Sequence, residues 1–196
     1  VNTTPTVLGE RLCLRLCEHK ERPAGFSGLG LSGKVEATVR GWLGVGRGLA
    51  LLCGTTFQGR EALYALLSEA RGHVASVEDP VESVLPGVDQ VQADHRIGLT
   101  AARAIRAALR QDVDVLGIGE LRGPEEADLA VEAALAGRLA IAQVAAADAA
   151  GAVERVTSWV FDHAAFQRAL VGVLVSSRDG RDAAARFETM EAPVEF

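Results

Sequence analysis

Three short segments hold the residue types that chemistry on a phosphorylated substrate needs. The first, GTTFQGRE, comprises Gly54, Thr55, Thr56, Phe57, Gln58, Gly59, Arg60 and Glu61. It follows the apolar run GLALLC and precedes a helical pattern, the strand, glycine turn and helix setting of a phosphate-binding loop. Gly54 and Gly59 keep the spacing that lets backbone amides wrap an anion, but Arg60 stands where a lysine is expected and Glu61 where Ser or Thr would ligate magnesium. A guanidinium keeps the charge in a broad planar fork, where such loops cradle a compact ammonium. A carboxylate at about 4 Å from a phosphate charge costs about 4 kcal/mol at an effective dielectric of about 20, roughly a thousandfold in affinity. Alternatively Glu61 ligates magnesium itself, or points away and pairs with Arg60; an ordinary strand-to-helix turn is the plain structural reading. The second segment, VEDPVE, places Glu78, Asp79 and Glu82 after a short apolar strand, where a carboxylate suits a general base or a magnesium-bound water. The third, GIGELRG, places Glu120 and Arg122 after a β-rich run, the acid suited to magnesium or its water and the Arg to phosphate or a neighbouring subunit. Each of these two also reads as a turn or a solvated loop.

GLGLSGKV, residues 28–35, matches the G-x-x-x-x-G-K-S/T pattern up to Val35. It lacks a buried strand to feed it, because EHKERPAGFS is polar and glycine-rich, so it is expected to be a turn before a helix.

The elements that must position these groups alternate. Strands are expected at 48–53, 74–77, 113–118 and 139–144. Helices are expected at 33–43, 60–71, 99–110, 124–136, 148–159 and 164–175. Residues 6–17 form one or two short strands broken near Gly9, and AAARFETME closes the chain as a strand. Such alternation predicts an α/β fold, a mostly parallel sheet with helices on both faces. Ligands bind such sheets at the C-terminal strand ends, where all three segments fall. No internal repeat appears.

The 196 residues suit one domain with length for part of a second, and 48% hydrophobic with 23% charged residues is a globular composition. The net charge of −6 and the lack of a basic tract argue against nucleic acid as partner. Of the 20 basic residues only Lys20 and Lys34 are lysines, a genome-level bias. No apolar run approaches a membrane span, and VNTTPTVLGE reads as the middle of a domain rather than a signal peptide, as in an excised piece. Cys13, Cys17 and Cys53 are an odd number, expected as reduced thiols in a cytosolic protein. In RLCLRLC the cysteines alternate with leucines, a strand pattern rather than a zinc site. His73, His95 and His163 show no metal spacing, and Trp159, Phe161 and Phe166 are expected in the core.

Taken together, these segments resemble the ATPase domain of the type II secretion and type IV pilus assembly ATPases, the general secretory pathway protein E family. SVEDPVE is similar to the family's aspartate box, RAALRQDVDVLGIGELR to its R-x-L-L-R-Q-D-P-D run and Walker B segment, and EADLAVEAALAGRLAIAQV to the stretch before its histidine box. GAVERV continues that stretch, and FETMEAP resembles the closing strand. TPTVLGERLCLRL resembles the end of the smaller N-terminal domain. The resemblance implies a RecA-like P-loop NTPase core over 25–196, with 1–24 as the end of the N-terminal domain and linker. It implies ATP and magnesium as cofactors and no zinc insert. It assigns Glu78 and Glu120 as catalytic carboxylates, and 54–61 with Arg122 as nucleotide-binding. It further implies a cytoplasmic protein with secretion or pilus components as partners, an active paralogue or a hexamer of itself among them, reaching the membrane only through them.

The departures fall in the active site. Arg60 and Glu61 replace Lys and Ser/Thr, Ala145 stands at the histidine position, and Gly123 replaces the Asp after Arg122. The expectation is a degenerate, weakly or non-hydrolysing family member with a structural or regulatory role. An active but atypical ATP hydrolase, and a module reusing the fold for another ligand, are the alternatives.

Overall fold

The computed structural model describes residues 2–14, 25–54, 56–177 and 186–192, and of residues 2 and 56–58 the backbone alone. Among the described residues seven strands form one sheet in the order β5-β4-β6-β7-β3-β8-β9. These are β3 (Gly48–Gly54), β4 (Val74–Glu78), β5 (Val88–Gln92), β6 (Val115–Leu121), β7 (Leu139–Val144), β8 (Leu170–Ser177) and β9 (Arg186–Glu191). All neighbours run parallel except β8 and β9. A separate hairpin, β1 (Asn2–Thr6) with β2 (Gly9–Cys13), turns at Val7 and Leu8, both fully exposed.

The strands are apolar on both faces because both are covered. Leu49, Leu51 and Cys53 of β3 join Ala140 and Ala142 of β7 in one core, with α3 (Ala101–Leu109), α4 (Pro124–Leu135), α5 (Ala149–Trp159) and α6 (His163–Ala169). The alternate residues Ala50, Leu52 and Ile141 face a second core under α1 (Gly33–Val45) and α2 (Thr56–Glu69). Several helices start where a side chain accepts an orphan amide: Ser32 from Val35, Thr100 from Arg103, Asp148 from Gly151 and Asp162 from Ala165.

GLGLSGKV is a turn leading into α1, with Lys34 in the first helical turn and Ser32 as its cap. The expected helix over 164–175 is half right: α6 stops at Ala169, and Leu170 opens β8, which pairs with β3. Strand β5, unanticipated, adds to β4 at the sheet edge. Phe166 is buried as expected, but Phe161 is 95% exposed. Cys17 lies outside the described residues. Cys53 is buried, and burial, reinforced by the Asp148 charge, pushes its thiol up to about 11. Among the described residues no helix is long and apolar enough to cross a membrane.

Candidate functional site

Strands β3, β4 and β6 deliver the three segments to the C-terminal edge of the sheet, with β7 between β3 and β6. The glycine segment is short as a loop. Strand β3 runs to Gly54, and α2 already begins at Thr56, so Gly59 and Arg60 lie inside the helix. Gly54, at φ +116°, packs where a Cβ would meet the Ser176 carbonyl oxygen, and a Cβ on Gly59 would sit 2.8 Å from Gln143 Nε2. Both glycines are therefore needed for packing against β8 and β7. Thr55 lies outside the described residues, as do the side chains of Thr56, Phe57 and Gln58.

Arg60 is turned into the protein. Its Nη1 donates to the Pro80 carbonyl at 2.8 Å and lies 3.6 Å from Glu82 Oε1, in an ion pair whose two side chains are each 4% exposed. Its Nε has no hydrogen-bond partner among the described residues. The ion-pair partner of Arg60 is thus Glu82, 22 residues on, rather than the adjacent Glu61, which is half-buried on α2.

Glu78, the last residue of β4, is 2% exposed and held by three donors. Tyr64 Oη donates to Oε2 at 2.6 Å, and Ser76 Oγ and Gln90 Nε2 donate to Oε1 at 2.7 and 3.0 Å. The Tyr64 oxygen in turn accepts from the Glu82 amide at 3.1 Å. Burial, reinforced by the bond to Glu78, pushes the Tyr64 phenol up to about 12. Glu78 as placed is a hydrogen-bond hub between α2, β4 and β5.

Arg122 ties the second segment to the third. Its Nη1 bonds Asp79 Oδ2 at 2.7 Å and its Nε bonds Glu120 Oε2 at 2.9 Å. Its pKa is raised, chiefly by the bond to Asp79 and then that to Glu120. The three segments thus converge and are stitched by two arginines, Arg60 to the Pro80–Glu82 turn and Arg122 across Asp79 and Glu120. At the end of β7, the Ala145 carbonyl accepts from Arg155, whose guanidinium stacks on Trp159. Among the described residues no three His, Cys, Asp or Glu side chains gather as a metal set.

Sequence reasoning passed over Tyr64, Ser76, Gln90 and Gln143. Two carried a signal: Ser76 and Gln143 are the lone uncharged polar residues in the buried strands VASVE and LAIAQV, and a buried polar group implies a partner.

The chain matches the family model described as "Type II/IV secretion system protein" over residues 1–180. Type II secretion system protein HxcR of Pseudomonas aeruginosa is 37% identical over 178 residues, 89% of this chain and 38% of that protein. The type IV pilus assembly ATPase PilB of Thermus thermophilus is 35% identical over 178 residues, 89% of this chain and 20% of PilB. The chain therefore spans well under half the length of these relatives. Among solved structures, the pilus retraction motor PilT with bound ADP superposes with a TM-score of 0.72 at 24% identity, over 89% of this chain and 55% of PilT. The VirB11 ATPase of the Brucella suis type IV secretion system, in complex with sulphate, gives 0.67 at 18% identity, over 82% of this chain and 53% of VirB11. The fold is that of these ATPases, a RecA-like P-loop NTPase core. With its strand order, its three convergent segments and a family match over nearly its whole length, the chain belongs to the Type II/IV secretion system protein family.

Proposed function

We propose that this chain is the ATPase-family domain of a type II secretion or type IV pilus machine whose nucleotide site is closed by its own side chains. It acts as a structural or regulatory subunit rather than as a hydrolase. The observation that carries this reading is the buried ion pair between Arg60, on a helix that starts at Thr56, and Glu82 in the loop after β4. At the lysine position a cation must reach phosphate, and this one is spent on an internal carboxylate. Separating a buried pair costs on the order of 3–5 kcal/mol. A micromolar nucleotide site rests on about 8 kcal/mol, so freeing Arg60 would take the affinity into the millimolar range.

Magnesium and ATP fit these residues poorly. Glu61 replaces the metal-binding hydroxyl, Gln143 stands against Gly59, and both Glu78 oxygens already accept hydrogen bonds. Phosphoryl transfer depends on positioned charge and metal. No catalytic step is therefore assigned to Glu78, Glu120 or Arg122, whose roles here are to tie loops together. Cytoplasmic placement and assembly with machine components, an active paralogue or further copies of itself in a ring, belong to the same proposal, which the family match supports.

Titration with ATP and magnesium, followed by a turnover assay, tests the reading: neither micromolar binding nor steady phosphate release is expected. The second reading, an atypical hydrolase, is favoured by the retained Glu78 and Glu120. It requires turnover that disappears in Glu78→Gln.

A further inference from the structure

The opposite, N-terminal edge of the sheet carries a feature that the proposed function leaves unused. A groove of ≈ 320 Å³ lies between α3 and α4, floored in part by Leu109 and Ala133 and ringed by Arg106, Arg110 and Arg138, with Glu132 the one acid in its lining among the described residues. It lies at the opposite edge from the acidic segments, because Arg138 immediately precedes the first residue of β7 while Glu78 and Glu120 stand at the C-terminal ends of β4 and β6. In a chain of net charge −6, three guanidinium groups against one lining carboxylate leave this small concavity locally positive.

Helix capping accounts for only part of this cluster. Arg138 Nη2 does bond the Leu109 carbonyl at 3.2 Å at the end of α3, and its Nε bonds the Val113 carbonyl at 3.1 Å. The last carbonyls of α4 are satisfied by backbone amides, Ala136 to Glu132, Gly137 to Ala134 and Arg138 to Ala133. Arg110 and Gln111 amides do the same for Ala107 and Ala108 of α3. Arg110 itself has no side-chain hydrogen bond or ion pair among the described residues. It is the C-cap of α3, four residues after Arg106; the helix C-terminus favours both cations, but at this spacing the two guanidinium groups repel each other, which an anion between them would relieve. Arg106 and Arg138 are already oriented, the first by Glu125 at 2.6 Å and the second by its two carbonyls.

We propose that this groove binds a small phosphate-bearing anion, with Arg110 closing on it and Arg106 and Arg138 presenting preset forks. Guanidinium groups match phosphate oxygens bidentately, and the volume sits at the small end of the roughly 300–1,000 Å³ range of ligand clefts. Glu132 opposes the anion and sets a ceiling on affinity. A free phosphate ester and the headgroup of an anionic lipid share this chemistry.

The test is calorimetric titration of the full chain with inorganic pyrophosphate, repeated on Arg110→Ala and Glu132→Gln, beside co-sedimentation with phosphatidylglycerol and phosphatidylcholine vesicles. Saturable one-to-one binding is expected, weakened about tenfold by Arg110→Ala and tightened by Glu132→Gln. Both positions are exposed, and an unchanged melting temperature confirms that the variants fold. Co-sedimentation confined to phosphatidylglycerol and dependent on Arg110 assigns the phosphate to a lipid headgroup. Pyrophosphate binding alone assigns it to a soluble ester. Binding untouched by Arg110→Ala places the anion elsewhere and overturns the proposal, as does the absence of binding in both arms.

Discussion

Replacing Arg60 by alanine removes a buried guanidinium and leaves the Glu82 carboxylate and the Pro80 carbonyl without it. Breaking a buried pair from one side typically costs on the order of 3–5 kcal/mol, so chemical denaturation should show a midpoint lowered accordingly. Arg60→Lys should recover part of that loss, since an ammonium restores the charge without the fork. An Arg60 that served only as a nucleotide contact would leave the stability of the free protein nearly unchanged on substitution. Tyr64 offers an independent reading of the same network. Its phenol is held at about 12, above the usual value of about 10, so the folded state keeps its proton longer than the unfolded chain does. The stabilisation is complete below pH 10 and is lost as the pH rises through about 12, a swing of roughly 2–3 kcal/mol by linkage. Tyr64→Phe should abolish that alkaline dependence. At neutral pH it should cost about 1–3 kcal/mol by leaving Glu78 Oε2 without its donor. Alkaline titration of stability, wild type against variant, measures both.

Among the elements, Gly54 and Gly59 separate two reasons for one spacing. Gly54 sits at φ +116° with the Ser176 backbone where its Cβ would go, so Gly54→Ala should break the end of the β3–β8 pairing and cost on the order of 3 kcal/mol or more. Gly59→Ala meets only the tip of the Gln143 side chain and should cost about 1–3 kcal/mol as overpacking. Urea midpoints of the two variants check the order. A spacing read as a phosphate loop is thus also demanded by packing, which sequence cannot distinguish. The inner strands were legible because doubly buried strands are unbroken apolar runs between turns, as in GLALLC and LAIAQV. Strand β8 was not, since Phe166, Ala169, Leu170, Val173 and Leu174 fall at helical as well as extended spacing. Strand β5 was missed because VDQVQ is a five-residue edge strand with two valines. In the site, the acidic segments were legible by type. Their ties were not, because Arg60 reaches Glu82 and Arg122 reaches Asp79 across folds of the chain that no local pattern encodes.

At the scale of the whole molecule, a ligand that binds only the folded state must raise its stability by RT ln(1 + [L]/Kd), about 2.7 kcal/mol at a hundred times Kd. For a domain of this length each kcal/mol moves the melting temperature by roughly 2–4 °C. A micromolar site for magnesium and ATP would therefore shift the melt by several degrees at sub-millimolar nucleotide. The closed site predicts a nearly flat response, because a Kd in the millimolar range leaves [L]/Kd below one at that nucleotide concentration. The double substitution Arg60→Lys with Glu61→Thr sharpens this into two opposite signs. It removes the fork that spans Pro80 and Glu82, so the free variant should melt below the wild type. It also restores an ammonium and a hydroxyl where a phosphate loop uses them, so magnesium and ATP should raise the variant's melt from that lower baseline. Scanning fluorimetry of both chains, with and without nucleotide, reads all four values. A wild-type shift as large as the variant's would mean that Arg60 leaves Glu82 at little cost, and the closed site would have to be abandoned.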